Sequence, residues 1–271
     1  MKRILNYAGS KWSMSQKIID LMPEHKAYVE PYAGSLAVFF NKDKDILETI
    51  NDIDGRLVNM YEQMRNNPEE LARLCDFTLY SRKEFENSLL VSSDPMEDAR
   101  RMMVRCWFAI GGMVTRDSFK RNISWNGPYN TYEWGDVPNR VFEASKRLKD
   151  AQIECKDALD LIQENNRKEI LIYADPPYMG KVRTSKQYVN EYTEEQHINL
   201  LEVLNDHKGP AILSGYETEL YTDHLKDWHM VKQEVHVGIT NLKKTKKEEV
   251  IWCNFEPSGQ LDMIKLLEES K

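Results

Sequence analysis

Hydrophobic positions along the chain fall into two alternating textures. Short apolar runs occupy residues 27–32, 46–51, 151–156, 169–174, 210–214, 229–237 and 248–254. Runs of this length bounded by turn residues read as strands, and the near-continuous aliphatic ones as strands buried on both faces. Between them the spacing turns helical, over 13–22, 35–42, 55–65, 157–165, 193–206, 217–226 and 260–269. Such alternation predicts an α/β fold whose mostly parallel sheet is covered by helices on both sides. The last two strands have no helix between them, only the loop 238–247. They are expected to form a hairpin, which puts one antiparallel C-terminal strand in the sheet.

Residues 66–149 break this rhythm. Helical spacing runs over 68–78, 81–89 and 94–111 and then gives way to an irregular aromatic stretch from Gly111 to Trp134. Gly111-Gly112, Asn126-Gly127-Pro128 and Gly135 punctuate that stretch. The expected organisation is one domain built from residues 1–65 and 150–271, with 66–149 as a mainly helical insertion between the second and third strands. Insertions of this length usually carry function.

Composition narrows the class. At 271 residues, 41% hydrophobic and 30% charged, the chain suits one globular α/β domain with an insertion. No apolar run approaches the ~18 residues that span a bilayer, and the first seven residues lack a signal-type apolar core. Cys75, Cys106, Cys155 and Cys253 are widely spaced with no C-x-x-C. That argues against a zinc site or a disulfide framework and fits a reducing, cytoplasmic setting with no metal. The net charge of −7 speaks against nucleic acid, yet it hides basic clusters at Arg100-Arg101 with Arg105, Arg116 to Arg121, Lys181 to Lys186, and Lys243 to Lys247. A local patch matters more than the sum.

The chemistry-bearing positions lie where strands end. Asp175-Pro176-Pro177-Tyr178 follows the buried run 169–174, and open α/β sheets bind ligands beyond the carboxyl ends of their strands. Proline fixes φ and donates no N–H, so the Asp175 carboxylate and the Pro176 carbonyl are both available as acceptors beside an aromatic face. That set suits a planar base bearing an exocyclic amine; the plain alternative is a proline-rich turn after a core strand. Earlier, Glu30-Pro31-Tyr32-Ala33-Gly34-Ser35 closes the first strand and opens a helix. Gly34 allows close backbone approach to a ligand. A second glycine of the dinucleotide fingerprint is missing, because Leu36 stands there, which weakens a pyrophosphate-binding reading. Asp52 lies 18 residues after Gly34, near the spacing of an acid that binds ribose hydroxyls; it could equally cap the following helix. Asp157 ends the third strand and is open to the same two readings, with the amine of an adenine in place of ribose.

In this order the motifs resemble those of Dam-like DNA adenine-N6 methyltransferases, particularly short phage-type members. Tyr7-Ala-Gly9-Ser-Lys11 matches the N-terminal element, Glu30-Pro31-Tyr32-Ala-Gly34 the cofactor element, Asp52 and Asp157 the later acids, and Asp175-Pro-Pro-Tyr178 the catalytic element. The resemblance implies a Rossmann-like S-adenosylmethionine-dependent methyltransferase fold with 66–149 as its target-recognition region. It implies a cofactor site formed by Tyr7, Gly9, Lys11, Glu30, Pro31, Tyr32, Gly34, Ser35, Asp52, Ile53, Asp157, Ala158 and Asp175. Catalysis falls to Asp175, Pro176 and Tyr178, with the target base flipped out of the duplex to stack on Tyr178 and Lys11 orienting the carboxylate. Double-stranded DNA is the implied partner, joined in some systems by a cognate restriction endonuclease, and the expected setting is a bacterial cytoplasm or a phage. Cytosine-N4, RNA or protein-glutamine methylation, a nicotinamide-dependent dehydrogenase and an inactive DNA-binding relative are the alternatives.

Among basic residues, Arg116, Lys120 and Arg121 beside Asn122 are the candidate base readers, with Lys181, Arg183 and Lys186 as further DNA contacts. Arginine pairs bidentately with guanine and asparagine with adenine, whereas the lysine run 243–247 suits phosphate. Arg116→Ala or Arg121→Ala is expected to lower the methylation ratio of cognate to single-substitution sites. Neutralising the four lysines weakens binding to all sequences alike and flattens its salt dependence. Uniform loss of affinity in the arginine variants, with preference intact, would make them phosphate contacts.

Overall fold

The computed structural model describes residues 1–115, 117–121, 129–179, 190–237 and 245–257. Seven strands form one sheet: β1 (Ala27–Glu30), β2 (Leu47–Asn51), β3 (Gln152–Glu154), β4 (Ile170–Ala174), β5 (Ala211–Gly215), β6 (His229–Val237) and β7 (Thr245–Cys253), in the order β3-β2-β1-β4-β5-β7-β6. The first five strands pair in parallel, and β7 runs antiparallel to both of its neighbours. All seven runs read as strands from the sequence are present, and the hairpin of β6 and β7 supplies the expected antiparallel strand. Strand order reverses between β1 and β4, and that reversal places the ligand crevice beyond their carboxyl ends.

Period-two alternation explains why these apolar runs are continuous. On β4, Leu171 and Tyr173 enter one core while Ile170, Ile172 and Ala174 enter the other. The second core is closed by α9 (Ala158–Glu164), α10 (Glu194–Asn205) and α11 (Glu219–His224), through Leu161, Leu200, Leu204 and Tyr221. The first is closed by α1 (Ser15–Asp20), α2 (Ala37–Asn41) and α3 (Gly55–Asn66), together with the helices of residues 66–149. The helix expected at 260–269 lies outside the described residues. No helix among the described residues is long and apolar enough to cross a membrane.

Residues 66–149 form α4 (Pro68–Asp76), α5 (Arg82–Ser88), α6 (Pro95–Phe108), α7 (Tyr129–Gly135) and α8 (Val137–Leu148). Leu71, Phe85, Met103, Phe108, Trp134 and Val141 share one core with Leu57, Tyr61 and Phe39. Three features differ from the sequence reading, the first being that α7 forms inside the stretch read as irregular from Gly111 to Trp134. The helix read over 94–111 stops at Phe108, because Gly111 and Gly112 take φ of +67° and +65° in a short 3₁₀ turn. The helix α8 was not anticipated. Pro138 sits in its first turn, where a missing N–H does no harm, and its core face is Val137, Val141, Ala144 and Leu148.

Gly112 ties this region to the N-terminal loop. Its carbonyl accepts from Ala8 N at 3.1 Å, and a Cβ on it would stand 2.5 Å from the Asn6 carbonyl oxygen. A side chain there meets both a clash and a left-handed backbone. Gly112→Ala is therefore expected to destabilise the protein by ~1–3 kcal/mol, read as a lowered urea midpoint, while Gly135→Ala, whose Cβ meets nothing within 4 Å, leaves the midpoint close to wild type.

Candidate active site

A cavity of about 450 Å³ opens beyond the carboxyl ends of β1, β2, β3 and β4. Its floor is stapled by Asn51, the last residue of β2. The Asn51 amide donates to the carbonyls of Pro31 (2.9 Å) and Lys156 (3.1 Å), and its oxygen accepts from Lys156 N at 3.0 Å. One side chain thus holds three adjacent strand-end turns in register.

The turn after β1 is the most constrained. Gly34 (φ +45°) donates its N–H to Asp52 Oδ2 at 3.0 Å, and its carbonyl accepts from the Tyr61 hydroxyl at 2.7 Å. Leu36 follows at φ +52°, ψ +36°, fully buried, an uncommon backbone for a bulky residue. Ser35 Oγ donates to Ser10 Oγ at 2.8 Å. Asp52 also accepts from Asp54 N at 3.0 Å, and burial raises its pKa to about 6. The helix cap weighed for Asp52 belongs instead to Asp54, which accepts from Arg56 N. Asp157 does cap its helix, accepting from Leu159 N at 2.8 Å, and it lines the cavity as well. Tyr32 meets Tyr192 hydroxyl to hydroxyl at 2.9 Å.

Glu30 closes the cavity from below. It is 3% exposed, and its Oε2 accepts from the Tyr28 hydroxyl at 2.6 Å and from Phe39 N at 3.2 Å. Burial, against the pull of the Tyr28 hydrogen bond, pushes its pKa up to about 8.

At the rim stands Asp175, 2.9 Å from the Lys11 ammonium, which is only 4% exposed. Lys11 also donates to the Gly9 carbonyl at 2.8 Å and lies 4.7 Å over the Tyr178 ring. Glu249 of β7 stands 4.0 Å from the same ammonium. Pro177 lines the cavity, whereas Pro176 is buried. Tyr178 is 7% exposed, lies edge-on to Tyr216, and faces a small separate hollow between Met179, Gly215 and Tyr221.

The structure therefore gathers Tyr7, Gly9, Lys11, Glu30, Pro31, Tyr32, Gly34, Ser35, Asp52, Ile53, Asp157, Ala158 and Asp175 around one cavity. Sequence reasoning missed Asn51 and Tyr192, which line the cavity, and Tyr61 and Glu249, which meet its lining residues Gly34 and Lys11. Of the DNA-contact candidates, Lys120 is half-buried, with its carbonyl accepting from Tyr80, and burial lowers its pKa. Arg121 is exposed. Arg116, Asn122, Lys181, Arg183 and Lys186 lie outside the described residues, as do Lys243 and Lys244. The cluster Arg100, Arg101 and Arg105 is engaged internally, with Glu84 and Glu97 at 2.7–2.8 Å and with Asp117 at 3.3 Å.

The chain belongs to the D12 class N6 adenine-specific DNA methyltransferase family, whose family model matches residues 7–239. It is accordingly an adenine-specific DNA methyltransferase. Its relatives include the retron Ec67 DNA adenine methylase of Escherichia coli, 23% identical over 99% of both chains. The type II methyltransferase M1.LlaDCHI of Lactococcus lactis subsp. cremoris is 25% identical over 94% of this chain and 96% of its own. The DNA adenine methylase of Escherichia coli K12 is 22% identical over 87% and 86%.

The buried acids make stability pH-dependent. Glu30 keeps its proton in the folded state up to about pH 8, while the unfolded chain releases it near its ordinary 4.5. The folded state binds more protons between those values, so this group's contribution falls as pH rises from about 4.5 to about 8. Gln can accept both hydrogen bonds and has no proton to lose. Glu30→Gln should thus be more stable than wild type at pH 8 by on the order of a few kcal/mol, with the difference vanishing near pH 4.5, measured by urea unfolding across that range.

Proposed function

We propose that the protein methylates N6 of adenine at a specific sequence in double-stranded DNA, with S-adenosylmethionine bound in the strand-end cavity. The observation that carries this reading is the pairing of one buried cation with the Asp175 carboxylate at the rim of an acid-lined cavity. About 450 Å³ lies within the range of small-molecule sites. The lining acids Asp52, Asp54, Asp157 and Asp175 suit a ligand carrying a sulfonium, an ammonium and ribose hydroxyls. The Asp52 oxygens hold the N–H groups of Gly34 and Asp54, and a carboxylate's four lone pairs leave capacity for a hydroxyl. When bound, S-adenosylmethionine supplies an already activated methyl on sulfur.

The chain's own residues then have a simple task. An exocyclic amine is a weak nucleophile because its lone pair is delocalised into the ring. Asp175 and the Pro176 carbonyl accept its two N–H groups, which frees the lone pair, and Lys11 fixes the carboxylate that does so. Positioning of this kind accounts for a large share of rate enhancement. The base must leave the duplex to reach the site, and Tyr178 supplies the aromatic face once Tyr216, edge-on to it, yields room for it. Residues 66–149, with Lys120 and Arg121, form the target-recognition region. Similarity to a type II methyltransferase supports a cognate restriction endonuclease as a partner.

Sequencing DNA from a methylation-free host that expresses the protein tests the activity and gives the target site. Asp175→Ala is expected to lower kcat by at least ~100-fold with cofactor binding within roughly tenfold. Asp52→Ala does the reverse, raising the cofactor KM while sparing DNA affinity. Near-normal turnover in Asp175→Ala would remove the catalytic assignment.

A further inference from the structure

The antiparallel course of β7 brings into the site a residue that no nearby motif announces. Running against β5, β7 sets Val250 opposite Gly215 at the carboxyl end of that strand. Ala174 pairs with Leu213 and Leu213 with Trp252, so Asp175 is level with Ile251 and Glu249 stands two positions beyond it. Alternate strand residues share a face. Ile251 and Cys253 lie in the core with Tyr173, so Glu249 points to that same side, where Lys11 stands. The ammonium is 4.0 Å from Glu249 and 2.9 Å from Asp175, with the three side chains 4%, 13% and 19% exposed for Lys11, Glu249 and Asp175. The family match ends at residue 239, so this carboxylate lies beyond it.

One buried cation faces two carboxylates, and the reaction treats the two differently. The amine nitrogen bonds to the methyl carbon as that carbon leaves the donor sulfur, which keeps the bonding pair. The nitrogen then sheds one proton, and Asp175 is the acceptor already in contact with it. A protonated Asp175 no longer balances Lys11, and an unbalanced buried charge is strongly unfavourable. We propose that Glu249 is a positioning residue that supplies the counter-charge of Lys11 while the Asp175 carboxyl is neutral, keeping the ammonium in place for the next turnover. This rests on the amine-acceptor role given to Asp175 above. At 4.0 Å the interaction is Coulombic and not a hydrogen bond, so charge is what Glu249 contributes.

Steady-state methylation of duplex DNA by wild type, Glu249→Gln and Glu249→Asp, with calorimetric binding of S-adenosylhomocysteine, tests this. Glu249→Gln is expected to lower kcat roughly tenfold while both KM values and the affinity for S-adenosylhomocysteine stay within about twofold. Glu249→Asp, which keeps the charge, recovers most of kcat. Adding Glu249→Gln to Lys11→Met causes no further loss in kcat. Unchanged kcat in Glu249→Gln, equal loss in the Gln and Asp variants, or loss confined to KM overturns the assignment. Wild-type protein that transfers no methyl from S-adenosylmethionine to DNA removes the functional reading itself and this inference with it, whereas an active wild type indifferent to Glu249 removes this inference alone.

Discussion

An ammonium and a carboxylate held 2.9 Å apart beneath the cavity rim set the terms for everything around them. Taking both out of water is favourable only when geometry and remaining hydrogen bonds are satisfied. The fold meets that demand from three directions. The left-handed turn at Gly9 (φ +76°) turns its carbonyl onto Lys11. The loop bearing Lys11 is pinned through Ala8 to Gly112. Asp175 directly follows β4, whose five residues are all buried, so the carboxylate has a rigid base.

Much of this arrangement is legible in the sequence because the relevant signals are local. Apolar runs bounded by Gly, Pro, Asp or Asn mark each strand, and in a parallel sheet the residue after such a run is delivered to one end of the molecule. Glu30, Asp52, Asp157 and Asp175 converge for that reason alone. What stays illegible depends on pairs distant in sequence. Asn51 meets Pro31 and Lys156, and Tyr192 meets Tyr32, through strand order that periodicity does not encode. Glu249 sits in the middle of its strand, with no turn beside it, because an antiparallel strand crosses the site without ending there. Local signals also mislead: Pro138 looks like a break yet opens a helix, and Gly111-Gly112 sits in a run whose spacing still looks helical.

The helices of residues 66–149 lie between β2 and β3 in sequence, and their packing is continuous with the sheet. Arg56, two residues after Asp54 on the cavity wall, holds Asp98 of α6 in a bidentate pair at 3.0 Å. Asp98 in turn accepts from Ser92 N at 2.9 Å. The Arg140 guanidinium, 5% exposed, joins Glu133 of α7 and Asp136 at the start of α8 to the Arg3 carbonyl of the N-terminal loop. Ion pairs and hydrogen bonds of this sort tie α6 to the start of α3, two residues from the Asp54 that caps it.

Leu36 has a consequence of a different kind. A left-handed leucine is disfavoured by roughly 1–2 kcal/mol, and here it is tolerated because the side chain is wholly enclosed by the core. A glycine would leave the same turn many conformations to sample when the cavity is empty, and a ligand would have to select one of them. Leucine, anchored by its side chain, leaves the turn essentially one. The disorder that cofactor capture would otherwise have to remove is thus removed during folding, so the entropy of shaping this part of the cavity is charged to the stability of the chain and not to its affinity for the ligand.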